Sequence, residues 1–91
     1  MADKRVERAK AETRKFLAEN NISHQQMMRF GEMADATIKD KALYPMFREQ
    51  MIATGMATES EIPVKYNYTI LVVVSTMGKL AGQLSNVKIG V

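Results

Sequence analysis

Residues 66–84 read YNYTILVVVSTMGKLAGQL, and the fold turns on whether this stretch is a strand or a helix. Tyr66, Ile70, Val73, Met77, Leu80, Leu84 and Val87 are apolar and stand alternately four and three residues apart, the spacing of a helix seam built to lie against another helix. The first half also alternates. Tyr66, Tyr68, Ile70, Val72 and Val74 would share one face of a strand, and β-branched and aromatic side chains crowd this segment. The continuation separates the two. Past Ser75 the two-residue period dissolves, while Met77, Leu80 and Leu84 keep the helical step. Ser75, Gly78, Gly82 and Ser85 add a small-residue stripe at the same spacing, where a neighbouring backbone can come close. The reading adopted is one long C-terminal helix over about 61–85; the alternative is an α+β fold with a strand at about 65–75, for which the chain offers only a weak partner at Val87, Ile89 and Val91.

Upstream the pattern is helical throughout. Residues 3–19 place Val6, Ala9, Thr13, Phe16 and Leu17 on a narrow apolar stripe, with mixed charge opposite and pairs such as Glu7 with Lys10 and Glu12 with Lys15. Asn20-Asn21 ends that helix, because Asn tolerates the left-handed turn found at helix C-termini. Ser23 followed by Gln26 fits a capping box for a second helix running to about Lys41, and Ile22 can staple onto Met27. Met27, Phe30, Ala34 and Ile38 form its buried stripe. Gly31 lies inside it at a cost of about 1 kcal/mol relative to Ala, so either the helix bends there or another backbone approaches. Pro45 suits the first turn of a third helix over about 45–54, with Met46, Phe47, Met51 and Ile52 inward and Gly55 stopping the run. Thr58 to Glu61 then supply capping residues for the long helix, with Pro63 in its first turn. The expectation is a single all-α domain over 1–91, a small bundle of about four helices.

Ninety-one residues form a domain in which apolar burial only narrowly exceeds the entropy lost on folding. The chain has no cysteine, so neither a disulfide nor a thiolate metal site can stabilise it, and the expected compartment is the cytoplasm. Oligomerisation is the remaining device, and a homodimer through the C-terminal helix is expected. The longest apolar run, Ile70 to Val74, is far shorter than the roughly 20 residues of a membrane span. The net charge of +3 is spread evenly, with six cations against four acids in residues 1–20, four against four in 21–57 and three against two in 58–91. No basic block emerges for tracking phosphates.

Reactive groups are scarce. His24 is the one histidine; it falls at an exposed capping turn with no nucleophile pattern beside it. Glu32 and Asp35 share a helical face but more simply solvate it than bind an ion. Ser75 to Lys79 holds fragments of a phosphate loop without its order. No enzyme, cofactor, metal site or small-molecule substrate is expected. Six of the eight methionines lie between residues 27 and 56, where flexible thioethers would suit either core filling or an adaptable groove for a partner protein. Met28, Met46 and Met51 are the candidate partner contacts, Met28 because adjacent Met27 takes the inward direction. The self-association candidates are Tyr66, Ile70, Val73, Met77, Leu80 and Leu84.

Residues 22–38 resemble the helix-turn-helix of phage repressors and Cro-like proteins over about a fifth of the chain. Under that resemblance Ser23 caps the first motif helix, Met27 and Met33 anchor it, and Ala34 to Lys41 is the recognition helix, with Arg29, Thr37, Lys39 and Lys41 toward DNA. The departures are physical. Met28 stands where the tight inter-helix contact usually has Ala, Gly31 replaces an apolar anchor, and Glu32 occupies the left-handed turn. Asp35 and Asp40 cancel Lys39 and Lys41 on the supposed recognition helix. The favoured expectation is a non-enzymatic interaction protein, of a size common among small bacterial and phage proteins, that regulates or assembles a partner. A DNA-binding regulator is the alternative.

Overall fold

A computed structural model describes residues 4–89, with four α-helices and no strand among them. Helix α1 spans Lys4–Glu19, α2 His24–Lys39, α3 Tyr44–Ala53 and α4 Tyr68–Ile89. A single 3-10 turn, Lys41–Leu43, leads into α3. The fold is an all-α bundle with a long C-terminal helix; residues 68–75 belong to that helix, so the strand alternative is excluded. Asp3, where the first helix was expected to begin, and Val91 lie outside the described residues.

Local chemistry sets the corners. After α1, Asn21 adopts φ 53°, the Ile22 amide donates to the Leu17 carbonyl at 2.9 Å and the Asn21 amide to Ala18 at 3.4 Å. This is a Schellman turn, and it buries Ile22 beside Leu17 in the core. The next residue, Ser23, accepts through its hydroxyl from the Gln26 amide at 3.0 Å, capping α2. Pro45 stands in the first turn of α3, and Gly55 at φ 80° follows its end. Asp40 closes α2 and opens the 3-10 turn, accepting from the Ala42 amide at 3.1 Å.

The long helix begins at Tyr68, later than the expected 61. Thr58 and Glu61 do pair, the Glu61 carboxylate accepting from the Thr58 amide at 2.8 Å and hydroxyl at 3.0 Å, which holds that carboxyl below its ordinary pKa. They close a turn instead of starting a helix. The strap that follows is pinned to α3: Arg48 Nε donates to the Ile62 carbonyl at 3.0 Å and the Tyr44 hydroxyl to the Pro63 carbonyl at 2.7 Å. Ile62 is buried under it. Burial raises the Tyr44 pKa above its ordinary value, with Arg48 pulling in the opposite direction. Only after Pro63 is the chain released, and Asn67 caps α4 by accepting from the Ile70 amide at 3.0 Å.

Helices α2 and α4 run antiparallel and make the principal contact of the fold. Its centre is Gly31 against Gly78. A Cβ built on Gly78 would stand 2.7 Å from the Gly31 Cα and 3.0 Å from the Met27 carbonyl oxygen, so only glycine at both positions lets the backbones meet at this separation. The glycine inside α2 therefore marks a close approach, and α2 continues through it unbroken to Lys39. The core, including Met27, Phe30, Ala34, Phe47, Leu71, Val74 and Ala81, lies to one side of this pair. There α1 packs against α4, and α3 with its lead-in turn packs against α2.

Candidate interaction surface

With α1 and α3 on one side of the α2–α4 pair, the other side stays open. Its floor is the glycine contact. Met28, Gly31, Glu32 and Asp35 of α2 and Ser75, Gly78, Lys79 and Gly82 of α4 line a shallow groove of about 170 Å³. That is below the ~300 Å³ at which small-molecule sites usually begin. Inside it the buried Ser75 hydroxyl donates to Asp35 Oδ1 at 2.5 Å, tying the two helices together at the level where their small residues end. Met28 lies across Gly82, with Cε 3.5 Å from where a Cβ on that glycine would be. Glu32 and Lys79, both exposed, flank the groove, and neither takes part in an ion pair among the described residues.

The outer surface of α4 is apolar near its start. Val64 just before the helix is 75% exposed, Tyr68 58%, Val73 51% and Val72 37%. Four large apolar side chains on ten consecutive residues form the greatest such concentration among the described residues, and contiguous exposed apolar surface marks interaction sites more often than isolated residues do.

The expected seam divides across two environments. Ile70 and Met77 are half-buried and pack against the protein's own core. Tyr66 lies in the strap, before α4; its ring is 5.6 Å from that of Tyr44, with Lys41 Nζ 5.2 Å above it. Leu80 and Leu84 are half-buried, and Val73 is exposed. Val87 lies outside the residues whose side chains are described. The physical reason is the glycine contact: α4 turns its small-residue face, with Leu71, Ser75, Gly78 and Ala81 buried, toward α2, and the seam is left on the flank about 100° around the helix.

Other expected positions are corrected by burial. Met51 sits in the core and so cannot serve as a partner contact. Met46 was expected to point inward but is 54% exposed, beside a small cleft formed with Met33, Thr37, Leu43 and Phe47. Met28 is exposed, as expected of the pair it forms with buried Met27. His24 is half-buried in the first turn of α2, not exposed. On α1 Lys15 pairs with Glu19 at 3.9 Å, and the expected Glu7–Lys10 and Glu12–Lys15 pairs are not formed among the described residues.

The helix-turn-helix geometry is overturned by α2 itself. His24–Lys39 is one uninterrupted helix, so no turn separates an anchoring from a recognition helix. Thr37, placed toward DNA by the resemblance, is 1% exposed and its Oγ1 donates to the Met33 carbonyl at 2.8 Å. Arg29, Lys39 and Lys41 are exposed, without a common recognition element behind them.

Sequence reasoning missed Val64, Tyr68 and Val72 as surface residues and Glu32 and Lys79 as the charged rim of one groove. The available signal was the pairing of Gly31 with the Ser75, Gly78, Gly82 stripe, which fixes which face of α4 turns inward. Among the described residues, no group of three His, Asp or Glu side chains could hold a metal ion, and no helix is long and apolar enough to cross a membrane. Comparison with protein-family models, with curated proteins and with solved structures gave no match.

Proposed function

We propose that this chain is a small cytoplasmic protein–protein interaction module, without catalytic machinery or a cofactor, that regulates or assembles a partner protein and self-associates through α4. The observation that carries the reading is the exposed apolar cluster of Tyr68, Val72 and Val73 at the start of α4, with Val64 just before it, on a helix whose small-residue face is already satisfied by α2. A 91-residue chain gains little by leaving such side chains in water, since burying each contributes about 1.5–3 kcal/mol. Met28 and Met46, both exposed, add adaptable contacts for the partner.

Light scattering after size exclusion, over a hundredfold range of concentration, tests the self-association. A mass near twice 10.2 kDa that falls on dilution is expected, and Val72→Asp should lower it while circular dichroism stays helical. A protein that remains monomeric at millimolar concentration would refute it.

A further inference from the structure

We infer that the open α2–α4 face is covered by a second copy of this chain, related by a two-fold axis running parallel to α2 and α4. This rests on the self-association reading and specifies its geometry. Two copies placed face to face can be related by an in-plane axis along the helices or across them. The charges choose between them. Among the side chains that line the groove itself, the acids belong to α2, Glu32 and Asp35, and the base to α4, Lys79.

The register follows from the contacts within one chain. Gly31 lies opposite Gly78, Asp35 opposite Ser75 and Met28 opposite Gly82, so Glu32 and Lys79 stand within about 3 Å of the same height, two residues of helix rise. An axis along the helices stacks α2 of one copy on α4 of the other without changing height. Lys79 of each copy then meets Glu32 and Asp35 of the other, twice per dimer. An axis across the helices stacks α2 on α2 and α4 on α4. Centred on the glycine contact, it brings Lys79 against Lys79 and Glu32 against Glu32, and like charges so placed are strongly disfavoured.

Area is sufficient. The molecule measures 39 × 25 × 21 Å, so a face along its length offers on the order of 800 Å² per copy, the size of a standard stable interface. The groove centres on the Gly31–Gly78 contact, with the exposed Met28 side chain lying over Gly82 at one end. Val72 and Tyr68 continue along the α4 edge. The result is a four-helix centre of α2, α4 and their copies, with α1 and α3 outside.

The test is charge reversal read by sedimentation equilibrium on the full chain. Lys79→Glu should weaken the dimer at least about tenfold and Glu32→Lys in the same direction, with helicity unchanged because both side chains are exposed. Mixed in equal amounts, the two variants should form a mixed dimer tighter than either alone, since each then meets opposite charge across the axis; this outcome owes nothing to pairing within a chain. A wild-type dimer indifferent to Lys79→Glu overturns the arrangement while leaving self-association standing. A wild-type monomer at millimolar concentration overturns both and leaves the face to another occupant.

Discussion

Replacing Gly78 by Ala adds one methyl group at the point where α2 and α4 touch. Its Cβ would lie 2.7 Å from the Gly31 Cα, 3.0 Å from the Met27 carbonyl oxygen and 3.1 Å from the Gly31 amide nitrogen. All three are backbone atoms, so no side chain can rotate away, and relief requires the helices to separate by nearly 1 Å. That separation is shared by every contact along the α2–α4 interface, where small gaps forfeit a quarter to a half of each dispersion well. Overpacking of this kind costs about 1–3 kcal/mol, more where backbone is the obstacle, and the better helix propensity of Ala returns up to about 1 kcal/mol. A net loss of about 1–2 kcal/mol is expected, or roughly 5–15 °C in Tm for a domain of this size.

Gly82→Ala is the control. It lies on the same helix four residues on, but a Cβ there meets only the flexible Met28 side chain at 3.5 Å or more. The propensity gain should dominate, leaving it neutral or stabilised by up to about 1 kcal/mol. Urea unfolding of both variants and the wild type, at one protein concentration because association shifts apparent stability, reads the difference. If Gly78→Ala matched or exceeded Gly82→Ala in midpoint, the glycine contact would not be the constraint described here.

Two further outcomes are expected. Tyr44→Phe removes the hydroxyl that donates to the Pro63 carbonyl and should cost about 1 kcal/mol. Because the Tyr44 pKa is raised in the folded protein, its contribution is present below the unfolded value of 10.0 and lost as pH rises through the folded value. The wild type should therefore lose stability above pH 10 more steeply than the Phe variant, and parallel alkaline profiles would count against the assignment. Ser23→Ala removes the cap on the Gln26 amide; thermal unfolding should show a loss of about 1 kcal/mol, and an unchanged Tm would mean that the cap is dispensable.

The places where chain and structure differ follow a common physical cause. Asn21, Ser23, Pro45 and Gly55 mark helix ends by chemistry local to a few residues, and each sits at its expected boundary. Thr58 and Glu61 also carry a capping signature, and locally they fulfil it. Whether a capped turn grows into a helix depends on the next residues being released, and here Arg48 and Tyr44, more than ten residues upstream, hold the Ile62 and Pro63 carbonyls. No window around 58–67 contains that information. The candidate surface was less legible for the same reason. Met28 was identifiable from its neighbour Met27, whereas the exposure of Val72 and Met46 and the burial of Thr37 and Met51 depend on which helix packs where.

Periodicity by itself determined that the chain is helical, that α4 is long, and that α4 carries two stripes, a large apolar seam and a small-residue line. It could not rank them. Seam residues bury more area each, which argues for turning them inward, but a Gly31–Gly78 contact lets two whole backbones approach and gathers dispersion along their length. Only the tertiary structure decided in favour of the small face. That choice rotated the seam onto the flank of α4, left Val72 and Tyr68 outside, and aligned Glu32 with Lys79 across an open groove.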